Sequence, residues 1–158
     1  MVHEYEKDIV FSQIRFSPDG TRFLAVAKSQ QVHVIDFDSL RQVTTIQGKT
    51  LRVSRAEFSA SGNTIVTCGS RGSFVSIWDA NTGDLKHQIR SPAGRLQLVP
   101  HPDQEIVFVN ASESGIHVLD LQSGAVMSKH AGRYDAIAYQ RSSNEIVAAS
   151  AQPHLFQS

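Results

Sequence analysis

Seven histidines and one cysteine, Cys68, are the residues best suited to hold a metal ion. Metal sites usually recruit ligands in pairs a short step apart on one element, and no two of these histidines stand at i, i+2 or i, i+4. They read as surface or inter-blade histidines with satisfied hydrogen bonds. Gly69-Ser70-Arg71-Gly72-Ser73 has the composition of a phosphate-cradling loop. It links two strands and opens no helix, so the dipole and the fan of amides such a loop uses are missing. Serines, histidines and aspartates are plentiful, yet no Gly-x-Ser-x-Gly elbow places a nucleophile beside a base. Asn110-Ala111-Ser112 fits a glycosylation acceptor, but no secretory signal accompanies it. The expectation is a protein that is not an enzyme and uses no metal and no cofactor.

The totals point the same way. Fifteen basic residues balance fifteen acidic ones, so no overall field draws the chain to nucleic acid or to a membrane. At 41% hydrophobic and 19% charged, the composition is that of a globular protein. A single cysteine offers no disulfide framework and suits a reducing compartment. The first eight residues are mostly polar or charged and no apolar run reaches membrane-spanning length, so a cytoplasmic or nuclear setting is expected.

The elements that position these residues repeat. Phe74-Val75-Ser76-Ile77-Trp78-Asp79 is a short alternating strand that ends in an Asn-Thr-Gly turn. Val32-His33-Val34-Ile35-Asp36 and Ile116-His117-Val118-Leu119-Asp120 share its shape, which puts Asp36, Asp79 and Asp120 at intervals of 43 and 41 residues. A second set of apolar runs begins at Phe23, Ile65, Ile106 and Ile146, each after a turn, at intervals of 42, 41 and 40. Periods of this length with several short strands each indicate propeller blades. The fold class is therefore all-β, with blades of four antiparallel strands. Residues 1–158 form one repeat region, with repeats at about 10–47, 51–90, 95–130 and 133–158, the last one cut short. That makes an open propeller of about three and a half blades. In the first repeat, strand one is expected over Val10 to Phe16, with Ile14 and Phe16 on one face. Strand two, Thr21 to Ala27, is apolar enough to be covered on both faces. The fourth strand, Arg41 to Ile46, is polar enough for an outer edge.

These residues resemble the WD-repeat family of β-propellers. The resemblance rests on Trp78-Asp79, the Ser17-Pro18-Asp19-Gly20 turn, and the Gly48-Lys49 and Lys129-His130 pairs where the family has Gly-His, together with the forty-residue period. It implies a structural role for Trp78, Asp79, Asp36, Asp120 and His130. It also implies a buried hydrogen-bond chain from the Gly-His histidine through a strand-two hydroxyl and a turn aspartate to the tryptophan. Lys49 replaces that histidine in repeat two and Gly72 stands where the aspartate is expected, so Trp78 should keep its packing role without the full chain.

The resemblance implies a non-catalytic scaffold that presents loops to other proteins within an assembly. An open arc leaves apolar blade faces, and three arrangements answer this: further blades in a longer propeller, a second propeller half (a second copy or another chain), or an irregular closed form. A propeller sends the loops between blades and those between strands two and three to one end. Lys28, Lys49, Arg52, Arg71, Arg90, Arg95, Lys129 and Arg133 then gather there, joined by Glu113 and with Glu4, Glu6 and Asp8 nearby, while Asp19, Asp36, Asp38, Asp79, Asp84, Asp103 and Asp120 go to the other end. Lys49, Arg52, Arg71, Arg95 and Arg133 are the candidate partner-binding residues, suited to an acidic or phosphorylated peptide or to RNA. The competing account is that aspartate simply prefers turns, which leaves the bases elsewhere by subtraction. RNA binding would call on Tyr134 as the stacking aromatic. A cullin-type ubiquitin-ligase receptor would carry Trp-Asp-x-Arg, and Asn81 holds that arginine position here.

Overall fold

In the computed structural model the described residues are 10–47, 53–69, 74–91 and 94–150. They form fourteen strands and no helix. The first sheet contains β1 (Phe11–Phe16), β2 (Arg22–Ala27), β3 (Val32–Asp36) and β4 (Gln42–Ile46). The second contains β5 (Val53–Phe58), β6 (Thr64–Gly69), β7 (Phe74–Asp79) and β8 (Leu85–Arg90). The third contains β9 (Leu96–Pro100), β10 (Ile106–Ala111), β11 (Gly115–Asp120) and β12 (Val126–His130). A final hairpin pairs β13 (Ala136–Gln140) with β14 (Glu145–Ala149). Each sheet is an antiparallel meander in chain order, one blade per sheet. Contacts between first strands run β1–β5, β5–β9 and β9–β13, so the blades radiate from a line of inner strands in an open arc. The expected third strand of the last repeat, at Leu155-Phe156-Gln157, lies outside the described residues.

The burial of β2 explains how the blades stack. Leu24 and Val26 point to one side, into a core shared with Val53, Ala56, Phe58, Ile65 and Trp78 of the second blade. Phe23 and Ala25 point to the other side with Ile35, covered among the described residues by Phe11, Phe37 and Leu40 of the same blade, with Phe16 at the edge of the cluster. The second blade repeats this division, with Val66, Cys68, Val75 and Ile77 packing against Leu96, Leu98, Val107 and Val109 of the third. Second strands are thus apolar on both faces because each face meets a different layer. Outer strands meet water: every residue of β12 is exposed.

The turns explain the shared spacing. Ser17 Oγ donates to Asp19 and accepts from the Arg22 amide, closing the β1–β2 turn around Gly20 at φ 73°. His101 takes the serine's place in the third blade, its Nδ1 accepting from the amides of Asp103 and Gln104 at 3.1 Å. Between third and fourth strands, Asp36, Asp79 and Asp120 each accept amide bonds from residues two or three positions on, an Asx turn. The residue four positions after each aspartate has positive φ and is Leu40, Gly83 or Gly124. A Cβ on Gly83 would lie 2.8 Å from Thr44 Oγ1, and one on Gly124 2.6 Å from the His87 ring, both on the outer strand of the preceding blade. Leu40 has no such neighbour among the described residues and lies on the open face of the first blade.

Candidate interaction site

The inner strands carry the polar groups that matter most. A β-bulge interrupts β1 between Phe11 and Gln13, and another interrupts β5 between Val53 and Arg55. The extra serine in each, Ser12 or Ser54, donates its hydroxyl to a carbonyl of the second strand, Val26 or Cys68. Each bulge re-aims the residue that follows it. The pairings Gln13–Val26, Arg55–Cys68 and Gln97–Asn110 show that residues 13, 55 and 97 occupy one structural position in three successive blades.

At two of the three, a side-chain amide ties one blade to the next. Gln13 Nε2 donates to the Ala56 carbonyl at 3.1 Å, and Gln13 Oε1 accepts from the Ala56 amide at 3.2 Å. Gln97 does the same to Ile137, with bonds of 2.8 and 2.9 Å. A primary amide offers a donor and an acceptor side by side, so it pairs with a peptide group as another strand would. Gln13→Ala and Gln97→Ala should each cost about 1–3 kcal/mol, because the half-buried backbone groups lose both partners. Urea unfolding of the single variants measures this. A cost within ~0.3 kcal/mol of zero would show that the clamps carry no load.

Arg55 cannot make this clamp, since a guanidinium has no acceptor. Its guanidinium makes no hydrogen bond or ion pair among the described residues, and the same holds for Arg95. Both line a groove of about 510 Å³ between the first three inner strands and a second of about 220 Å³ between the second blade and the final hairpin. Arg15, on the wall of the larger groove, is engaged: its Nε meets Glu57 Oε1 at 3.0 Å. Gln13 also donates to Glu57. Burial raises the Glu57 pKa more than Arg15 and Gln13 lower it.

The residues expected from sequence are distributed unevenly. Arg95 and Arg133 are exposed at the end where the blades join, together with Lys28, Arg90 and Lys129. Lys49, Arg52, Arg71 and Gly72 lie outside the described residues. Arg55 is a strand residue, so the assignment of charges to loops does not include it. The signal available was the register: residues 13, 55 and 97 are spaced by 42, and the middle one breaks the glutamine pattern. Tyr134 is half-buried, with its hydroxyl donating to the Ala131 carbonyl and its ring against Gly132.

Trp78 keeps one polar link. Its indole N–H donates to the buried Thr67 hydroxyl on β6 at 2.9 Å. In the first and third blades the same two places hold Ile35 with Ala25 and Leu119 with Val109, so polar partners are absent together. Asp79 is held at about pKa 2 by the Asn81 amide, then by Lys86, 3.0 Å from its other oxygen, and by the Thr82 amide. His130 is exposed on β12. The other histidines divide. His87 Nε2 meets the Gln122 carbonyl across a blade junction at 2.9 Å. His101 is buried between the third blade and the hairpin, reaching Asn144 and Tyr139 through Nε2. His33 departs from the expected pattern: it is buried within its blade, with Nδ1 on Gln42 and Nε2 unpartnered. Burial, then Lys129 across the strand pair, lowers the pKa of His117. Burial pushes the Cys68 thiol up to about 12, which keeps it protonated and unreactive.

Stacked four-stranded meanders around a line of inner strands define a β-propeller. Comparison with known proteins gives the kind: residues 40–79 match the family model described as "WD domain, G-beta repeat". That match begins before β4 of one blade and ends with β7 of the next, so the sequence repeat straddles a blade junction. The chain is similar to the transcriptional corepressor LEUNIG_HOMOLOG of Arabidopsis thaliana, 22% identical over 88% of the chain and 18% of that protein. It is also similar to autophagy-related protein 18 of Schizosaccharomyces pombe, 24% identical over 61% of the chain and 26% of that protein. Among solved structures, U3-55K and the RRP9 WD40 repeats each superpose with a TM-score of 0.71 at 16% identity, covering 84% of this chain and 42% of theirs. The fold is that of a WD-repeat β-propeller with divergent repeats. The chain spans about a fifth to a quarter of the length of these relatives and less than half of the solved chains.

Proposed function

We propose that the chain is a non-catalytic interaction scaffold whose blades belong to a larger propeller, with a further blade seated on the open face of the first. The observation that carries this reading is that face. Ile14 and Phe16 are 53% and 56% exposed there, although Phe16 sits edge-on to Phe37 and near Phe23. Inside the arc, the corresponding sheet faces are covered by the blade before them, so the matching occupant is another four-stranded blade. The length by which the related proteins exceed this chain supports the same occupant, and the corepressor among them supports a nuclear or cytoplasmic setting.

The mass of the purified chain in solution tests the reading. Association, as a dimer or higher species, is expected from wild type. Phe16→Glu, which puts a charge on the face without touching an internal junction, should shift the population toward monomer. A wild-type chain that is monomeric and cooperatively folded at high protein concentration would overturn it.

A further inference from the structure

We infer that Arg55 and Arg95 form a binding site for the carboxylate side chains of an acidic peptide, set in the groove along the inner strands. The site stands independently of what covers the first blade. Three observations converge on it. Arg55 occupies the position that clamps neighbouring blades elsewhere, so this junction gives up a two-bond tie and gains a cation. The guanidiniums of Arg55 and Arg95 line the same two grooves and have no hydrogen-bond or ion-pair partner among the described residues. The one other arginine lining the larger groove, Arg15, is paired directly with Glu57, which Arg55 senses only through space, so the wall offers two arginines without a direct partner among the described residues rather than a broad basic field.

That charge count selects the ligand class. Two arginines suit one or two carboxylates, each able to take paired N–H bonds from a planar fork. A nucleic acid carries a charge at every step, more than two arginines match, and would bring its phosphates against Asp135 in the smaller groove. An extended peptide also fits a groove bordered by the serine hydroxyls of Ser12 and Ser54.

Fluorescence polarisation with a fluorescein-labelled hexapeptide carrying two glutamates among serines and glycines, at low and physiological salt, tests the assignment on the full chain. The key variant is Arg55→Gln, which installs the residue found at both flanking junctions and should fold with an unchanged or raised unfolding midpoint. Saturable binding by wild type is expected, weakened at least ~10-fold in Arg55→Gln and in Arg95→Gln and unchanged in Arg41→Gln, whose charge lies in the β3–β4 turn at the opposite end. No binding by wild type, equal binding by Arg55→Gln, or an equal loss in Arg41→Gln would each overturn the proposal. Tighter binding of labelled hexauridylate, lost in the same two variants, would also overturn it in favour of nucleic acid.

Discussion

Replacing Trp78 with alanine is expected to lower the unfolding free energy by about 3–5 kcal/mol, the range for deleting a large buried aromatic ring. The side chain is 4% exposed and packs in the core that joins the first two blades, against residues of both. Little can collapse into the gap, because β2 and β6 hold the ring from opposite sides and their own positions are fixed by ladder bonds. Far-UV circular dichroism during urea unfolding reads the loss without relying on tryptophan fluorescence. A cost under ~1 kcal/mol would mean that Trp78 is not a packing anchor. Trp78→Phe separates packing from polarity: it keeps most of the ring and leaves the Thr67 hydroxyl buried without its donor, for about 1–3 kcal/mol. Adding Thr67→Val should recover part of that loss, since the first and third blades use an apolar pair at these two places. Full additivity of the two substitutions would show that the hydroxyl and the indole do not sense each other.

The second large effect is expected from Gly115→Ala. Gly115 opens β11 at φ 100°, and a Cβ there would lie 2.0 Å from the His130 carbonyl oxygen on β12. The strained backbone costs about 1–3 kcal/mol. Displacing a backbone carbonyl in a paired strand adds a further ~1–3 kcal/mol. Gly20→Ala is the matched comparison, with φ 73° and open space around the added carbon, so it pays the conformational cost alone. Equal destabilisation of the two variants would show that the close approach between β11 and β12 is unimportant.

The fold was legible because its markers are local. Asp36, Asp79 and Asp120 recur since each closes the same Asx turn, and apolar runs from Phe23, Ile65 and Ile106 recur since each second strand is covered on both faces. The β1–β2 turn tolerated a change of residue, serine to His101, because an imidazole nitrogen can accept the same amides. The site was harder to read. Gln13 and Gln97 act across blades, on partners 43 and 40 residues away, and nothing in the immediate neighbourhood of these two or of Arg55 marks them. Arg55 was hidden further by a bulge that shifts its strand by one residue, so that loop-by-loop sorting passed over it. His33 was misjudged for a related reason: its environment is made by Gln42 and Thr45 on a strand that a sequence reading treats as solvent edge.

Leu40 has a consequence for any assembly the chain enters. At internal junctions Gly83 in the β7–β8 turn and Gly124 in the β11–β12 turn let the preceding blade's outer strand ride directly over the backbone. An isobutyl group at that place holds an incoming blade off by the width of a side chain, in a turn already committed to positive φ. The seam at the first blade is therefore keyed differently from the others. A blade shaped like the second or third would not seat there flush, and a correct neighbour needs a recess opposite Leu40. A ring completed through this face would have one junction that identifies its own partner by shape.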